Sequence, residues 1–173
     1  MNKYVLLFRA INVGGKNLMP MKELKDLLES MDYQSVASYI QSGNVVFQAQ
    51  KKPKLDELKL KLEQHFGFSP QLILLSEAEF NAVAEANPYQ QCEPKTAHIY
   101  FCKDRPKLDE ENLESVKKES EAYTVGEKAF YLHAPEGIGR SKLVANIDKL
   151  LAVAATGRNL NTVLKLQALC TKG

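Results

Sequence analysis

Residues Tyr4-Val5-Leu6-Leu7-Phe8 form an unbroken apolar run that closes on Arg9. In an extended chain Tyr4, Leu6 and Phe8 share one face, while Val5, Leu7 and Arg9 share the other. Both faces are therefore apolar until the last residue, as in a strand covered on both sides. The run is too short for a secretion signal, ends on a charge and lacks a small-residue cleavage site, so a strand is expected here.

The segments after this strand set the architecture. Ile11 to Met19 is a loop holding Gly14-Gly15, and a helix begins with Pro20 in its first turn and Met21, Leu24, Leu27, Leu28 and Met31 on one face. Strand-like runs at Ser35–Ile40 and Val45–Gln48 flank Gln41-Ser42-Gly43-Asn44. Gly and Asn accept positive φ, which predicts a hairpin. A second helix over Lys54–Phe66 stops at Gly67, and Pro70–Leu75 is a further strand. Strand, helix, hairpin, helix, strand is the split β-α-β order of a ferredoxin-like plait.

Ser76-Glu77-Ala78-Glu79 matches a capping box that opens a linking helix, which Asn87-Pro88 ends. The order then repeats: a strand at Thr96–Cys102, a helix at Asp109–Lys118, a hairpin of Ala122–Val125 and Ala129–His133, and a helix at Ser141–Leu151. In place of a closing strand, a last helix is predicted from about Asn159 to Cys170. The expected fold class is α+β, with two ferredoxin-like split β-α-β halves arising by duplication, the second ending in a helix instead of a strand. Residues 1–75 would form the first half, 76–95 a linking helix and loop, and 96–173 the second half with its C-terminal helices.

Composition narrows the function classes. With 45% hydrophobic and 25% charged residues the chain is ordinary globular material, and no apolar run reaches the length of a membrane span. Cys92, Cys102 and Cys170 lie far apart with no Cys-x-x-Cys, which suggests reduced thiols in the cytoplasm. His65, His98 and His133 are equally dispersed, so no metal site or catalytic triad is expected. Net charge is only +2. Its distribution is uneven: residues 1–53 hold seven basic and four acidic groups, and residues 140–173 six basic and one acidic. Complementary packing explains such a pattern, and so would two ends that contribute to one basic site.

Three polar segments are candidates for that site. Ala10-Ile11-Asn12-Val13-Gly14-Gly15-Lys16-Asn17 comes directly after the buried strand, and its paired glycines let backbone approach a ligand closely. Its spacing is neither a Walker A loop nor Gly-x-Gly-x-x-Gly, so no nucleotide cofactor is expected. Arg9 emerges where the strand ends and needs an anion or carbonyl partner. Pro135-Glu136-Gly137-Ile138-Gly139-Arg140-Ser141-Lys142 enters a helix with Ser141 as N-cap. Arg140 and Lys142 disfavour that positive helix end unless something negative sits nearby. Arg158 repeats the pattern before the last helix, where Thr156 or Asn159 would serve as cap. The acidic group Asp109-Glu110-Glu111 is the reverse case, at a helix start that it stabilises.

Phe8-Arg9-Ala10-Ile11-Asn12-Val13-Gly14-Gly15, Pro20-Met21, Tyr39-Ile40-Gln41-Ser42-Gly43-Asn44-Val45, Gly139-Arg140-Ser141-Lys142-Leu143 and Arg158-Asn159-Leu160-Asn161-Thr162 occur in this order. Together they resemble the bacterial family called domain of unknown function 1697. The resemblance implies a duplicated ferredoxin-like α+β fold and names no activity. Three positions depart from the family pattern, which commonly has Gly at Ala10, Thr at Gly157 and Trp at Leu160.

The expected function is binding of a phosphate- or carboxylate-bearing small molecule by Arg9, Asn12, Gly14, Gly15, Arg140, Ser141, Lys142, Arg158 and Asn159. Catalysis stays open, because no nucleophile–base pair or metal set is visible. One alternative is an interaction or assembly module without ligand, as monomer or homodimer. A nucleic-acid-binding plait is disfavoured, since the Val45-Val46-Phe47-Gln48 strand offers one aromatic where base stacking needs a pair.

Overall fold

The computed structural model describes residues 1–172. Among them the chain is α+β, with two four-stranded antiparallel sheets and seven α-helices. It divides into two compact units. The first comprises Met1–Phe80 and takes back the segment beginning at Lys165, while the second comprises Asn81–Leu164.

In the first unit the chain forms β1 (Asn2–Arg9), α1 (Met21–Ser30), β2 (Gln34–Tyr39), β3 (Asn44–Ala49), α2 (Leu55–Phe66) and β4 (Gln71–Ser76). The sheet order is β2-β3-β1-β4, which makes β1 a central strand. Tyr4 pairs with Phe47 and Leu6 with Val45 in the antiparallel register, so these side chains stack across strands on one face. Leu24 and Leu28 of α1 and Leu58 and Leu62 of α2 close over that face, all essentially buried. Val5 and Leu7, on the opposite face, are fully buried as well. The doubly apolar pattern of β1 thus has its expected consequence. Gly67 ends α2 in the left-handed conformation at φ 79°, the usual C-terminal stop.

Helix α3 (Glu77–Glu85) opens on the expected capping box: Ser76 N–H donates to Glu79 Oε1 at 3.0 Å, and Glu79 N–H donates to Ser76 Oγ at 3.1 Å. The chain then forms β5 (Ala97–Cys102), α4 (Glu110–Val116), β6 (Ala122–Val125), β7 (Ala129–His133), α5 (Lys142–Ala145), α6 (Ile147–Leu151), β8 (Ala155–Asn159) and α7 (Leu160–Thr171). The second sheet has the order β6-β7-β5-β8. Its core gathers Tyr100, Phe130 and Leu132 from the sheet with Leu113, Leu143 and Leu151 from the helices.

Two expectations need correction. The second unit does not end in a helix instead of a strand: β8 closes its sheet against β5, and α7 comes after it. Ala155-Thr156-Gly157-Arg158-Asn159 lacks an apolar alternation, which hid the strand. Being at an edge it tolerates polar residues and glycine. The glycine also fits locally, since a Cβ at Gly157 would sit 2.5 Å from the ring of Tyr100. The single helix predicted over Ser141–Leu151 is in fact two short ones. Asn146 interrupts it at φ −112° and ψ 17°, and its side-chain amide donates to the Lys142 carbonyl at 2.7 Å. No helix among the described residues is long and apolar enough to cross a membrane.

Candidate functional site

The polar segments next to β1 gather at one end of the first sheet. Arg9, half-buried, is the last residue of β1 and lies opposite Gln71. Beyond it the loop folds into a miniature hairpin: Lys16 N–H donates to the Val13 carbonyl at 3.0 Å, and Asn12 N–H to the Asn17 carbonyl at 3.0 Å. Gly14 and Gly15 are its two central residues at φ 58° and 73°, the signature of a type I′ turn. A Cβ added at either would meet nothing within 4 Å, so these glycines serve the turn and not a close approach within the fold.

Asn12 fixes this hairpin to the rest of the unit. Its Nδ2 donates to the Met19 carbonyl at 3.0 Å and to the Gln41 carbonyl at 2.8 Å, and its Oδ1 accepts from Met19 N–H at 2.7 Å. The β1–α1 loop and the β2–β3 turn are thereby one structural piece. Gly43 belongs to that turn at φ 90°, and a Cβ there would come within 2.6 Å of Phe8 Cβ and 2.7 Å of Ile11 Cδ1. Phe8 N–H donates to the Gly43 carbonyl at 2.9 Å, which holds the turn against the end of β1. The expected positive φ is thus at Gly43; Asn44, buried, instead donates its amide to the Tyr39 carbonyl at 2.9 Å.

Strain distinguishes this end of the sheet. Among the described residues seven non-glycine positions have left-handed backbone, and four of them, Ala10, Asn12, Asn17 and Ile40, lie in these two loops. For a β-branched residue such as Ile40, at φ 54°, the conformation is a true outlier. The same loops expose Val13, Leu18 and Ile40. Nothing in the sequence signals strain at Ile40.

The other candidates belong to the second unit. Ser141 caps α5 by accepting from Val144 N–H at 3.2 Å, and its hydroxyl donates to Glu121 Oε2 at 2.7 Å. Glu121 is buried and also accepts from Lys118 N–H at 2.8 Å through Oε1. The start of α5 thus has an internal carboxylate bonded to its cap. Sequence reasoning missed it because the run Lys117-Lys118-Glu119-Ser120-Glu121 has the composition of a solvated turn. The Glu121 charge also acts on Tyr100: burial first, and this carboxylate second, push its hydroxyl up to about 12.

Asn159 is the cap of α7, its Oδ1 accepting from Thr162 N–H at 3.0 Å, and Thr156 is instead buried in β8. Arg158 pairs in register with Ile99, and burial lowers its guanidinium to about 10, still charged at neutral pH. One Nη1 donation goes to the neighbouring Gly157 carbonyl at 2.9 Å. The β8 residue Asn159 lies opposite His98, whose Nε2 is buried without a hydrogen-bond partner. Burial lowers the pKa of that imidazole, opposed by hydrogen bonding with the Lys95 backbone. Among the thiols, burial, reinforced by Asp148, pushes Cys102 up to about 12, and burial, reinforced by Glu77 against Lys3, pushes Cys170 to about 11. Neither is a poised nucleophile at neutral pH. No cluster of three or more His, Cys, Asp or Glu with metal-binding geometry occurs among the described residues.

A protein-family profile described as "Protein of unknown function (DUF1697)" matches residues 1–131. The chain belongs to the DUF1697 family. The matched stretch contains the whole β1 end of the first unit and, in the second, the Glu121 turn. Among solved structures, the conserved bacterial protein SP0830 from Streptococcus pneumoniae is similar to this DUF1697 chain at 27% identity and a TM-score of 0.73. The alignment covers 98% of each chain. No curated protein matches it significantly.

Proposed function

We propose that this DUF1697 protein is a small-molecule-binding module that takes a phosphate- or carboxylate-bearing ligand at the β1 end of its first unit. One observation carries the reading: left-handed backbone at Ala10, Asn12, Asn17 and Ile40, concentrated in two loops that Asn12 ties together. Such strain costs about 1–2 kcal/mol per residue and persists at functional loops that a rigid scaffold holds in place. Arg9 and Lys16 give the loops their charge, and a guanidinium has five donors, enough to serve a ligand besides its partners in the fold.

Inorganic phosphate, pyrophosphate, sugar phosphates and small dicarboxylates, screened by thermal shift, test the proposal. A ligand at 100 times its dissociation constant stabilises by about 2.7 kcal/mol, or roughly 5–10 °C in a chain of this size. Arg9→Ala should abolish the shift. A shift that survives this substitution, or the absence of any shift across the panel, overturns the reading.

Val13, Leu18 and Ile40, exposed on the same loops, favour assembly as a second reading. Light scattering separates the two, since assembly requires a mass above the monomer that Val13→Ser and Leu18→Ser reduce. Base stacking on Phe47 finds no support, since that ring is fully buried in a stack with Tyr4 at 5.8 Å and Tyr33 at 4.7 Å.

Both sheets repeat one strand order, second-third-first-fourth within each unit, and we read them as duplicated ferredoxin-like plaits. Three cysteines, all free, suit a reducing compartment, so we place the protein in the cytoplasm.

A further inference from the structure

At the end of the first sheet remote from Arg9 lies a cavity of about 580 Å³, between the start of β2, the end of β3 and the start of α2. It is an open cleft, with a volume in the range of small-molecule sites. Lys51, Lys52 and Lys54 line it together with the carboxylates of Asp32 and Glu57. Glu57 is engaged by Lys54 at 3.7 Å, whereas neither Lys51 nor Lys52 is in an ion pair among the described residues. Two lysines free of ion pairs on one cavity wall favour a guest with negative charge.

The remaining wall mixes apolar and aromatic groups with the amides of Gln34 and Gln50. Met31, Ala49 and Pro53 contribute to it, and so does the half-buried ring of Tyr33. That ring is stacked on Phe47 at 4.7 Å with an interplanar angle of 19°, and Phe47 stacks in turn with Tyr4. A ring clamped on one face in this way is a rigid panel, and its other face is suited to a planar guest. Burial, with the Glu57 charge adding to it, raises the Tyr33 pKa, so the phenol stays a neutral donor at physiological pH.

We propose that this cavity binds a small molecule combining a planar ring with a phosphate or carboxylate, the ring against Tyr33 and the anion between Lys51 and Lys52. The site is distinct from the one assigned to the β1 end and does not depend on it.

Adenosine 5′-monophosphate, adenosine and inorganic phosphate are the probes, titrated into the full chain and followed by amide chemical shifts. The monophosphate should perturb Tyr33, Ala49 and Lys52 saturably, with an affinity at least tenfold above that of either fragment. Lys51→Gln with Lys52→Gln should weaken it tenfold or more, Tyr33→Leu by a similar factor, and Lys103→Gln, an exposed charge in neither proposed site, should leave it unchanged. Circular dichroism of each variant confirms folding, and Tyr33→Phe, which keeps the ring, should retain most of the affinity. No saturable perturbation, equal binding of phosphate alone, or affinity that survives the lysine pair substitution would each overturn the proposal.

Discussion

Ala10 is an ordinary residue in an unusual conformation, with φ at 58° immediately after the buried strand. A Cβ there crowds the following carbonyl, and glycine avoids that penalty at the cost of a more flexible unfolded chain. Ala10→Gly should therefore stabilise the protein by roughly 0.5–1 kcal/mol. Gly43 is the opposite case, because its φ of 90° is joined by a Cβ position that overlaps Phe8 and Ile11. Gly43→Val should cost more than the ~1–2 kcal/mol of the left-handed conformation alone. Urea denaturation of both variants against the parent chain measures the pair. Shifts of the same sign would show that backbone conformation does not govern these two positions. The positive φ at the hairpin was legible, since Gly beside Asn is a turn signature. The one at Ala10 was not, because alanine carries no local signal for it.

The helices and strands were legible wherever their own side chains set the pattern. The apolar run of Ala129–His133 and the apolar face of α1 arise from residues within the element. Elements whose cause lies elsewhere were missed. Strand β8 exists because β5 has a free edge and because Gly157 fits beneath Tyr100, and neither fact is local to its five residues. The start of α5 is a similar case: its cap, Ser141, donates to Glu121, 20 residues away in the chain. This assignment makes Glu121 the keystone of the α5 start. Glu121→Ala leaves Lys118 N–H and the Ser141 hydroxyl without their acceptor in a buried setting, which should cost about 2–3 kcal/mol. Ser141→Ala removes only the cap and one of the two bonds to Glu121, for about 1 kcal/mol. Chemical denaturation at neutral pH decides between them; equal costs would mean that the bond from Lys118 N–H to Glu121 adds no stability.

At the scale of the molecule, the division into units departs from chain order. Helix α7 begins in the second unit, yet from Lys165 onward it belongs to the first. That segment supplies buried Leu166 and Cys170, and Lys3 Nζ donates to the Cys170 carbonyl. Lys165 Nζ also lies 6.0 Å from the centroid of the Tyr39 ring, within reach of a cation–π attraction. The first unit is thus complete only when the end of the chain has returned to it. A chain ending at Leu164 loses the burial of two apolar side chains and both polar contacts. We expect a loss of about 2 kcal/mol, since burying a leucine alone is worth roughly that much. In a chain of this length the midpoint should fall by roughly 4–8 °C. Hydrogen exchange locates the damage: the amides of β1 and β3, central in the first sheet, should exchange faster because their unit opens more readily. Protection in β1 and β3 that is unchanged by the truncation would mean that the first unit is finished by Phe80, and that the returning helix adds nothing to its stability.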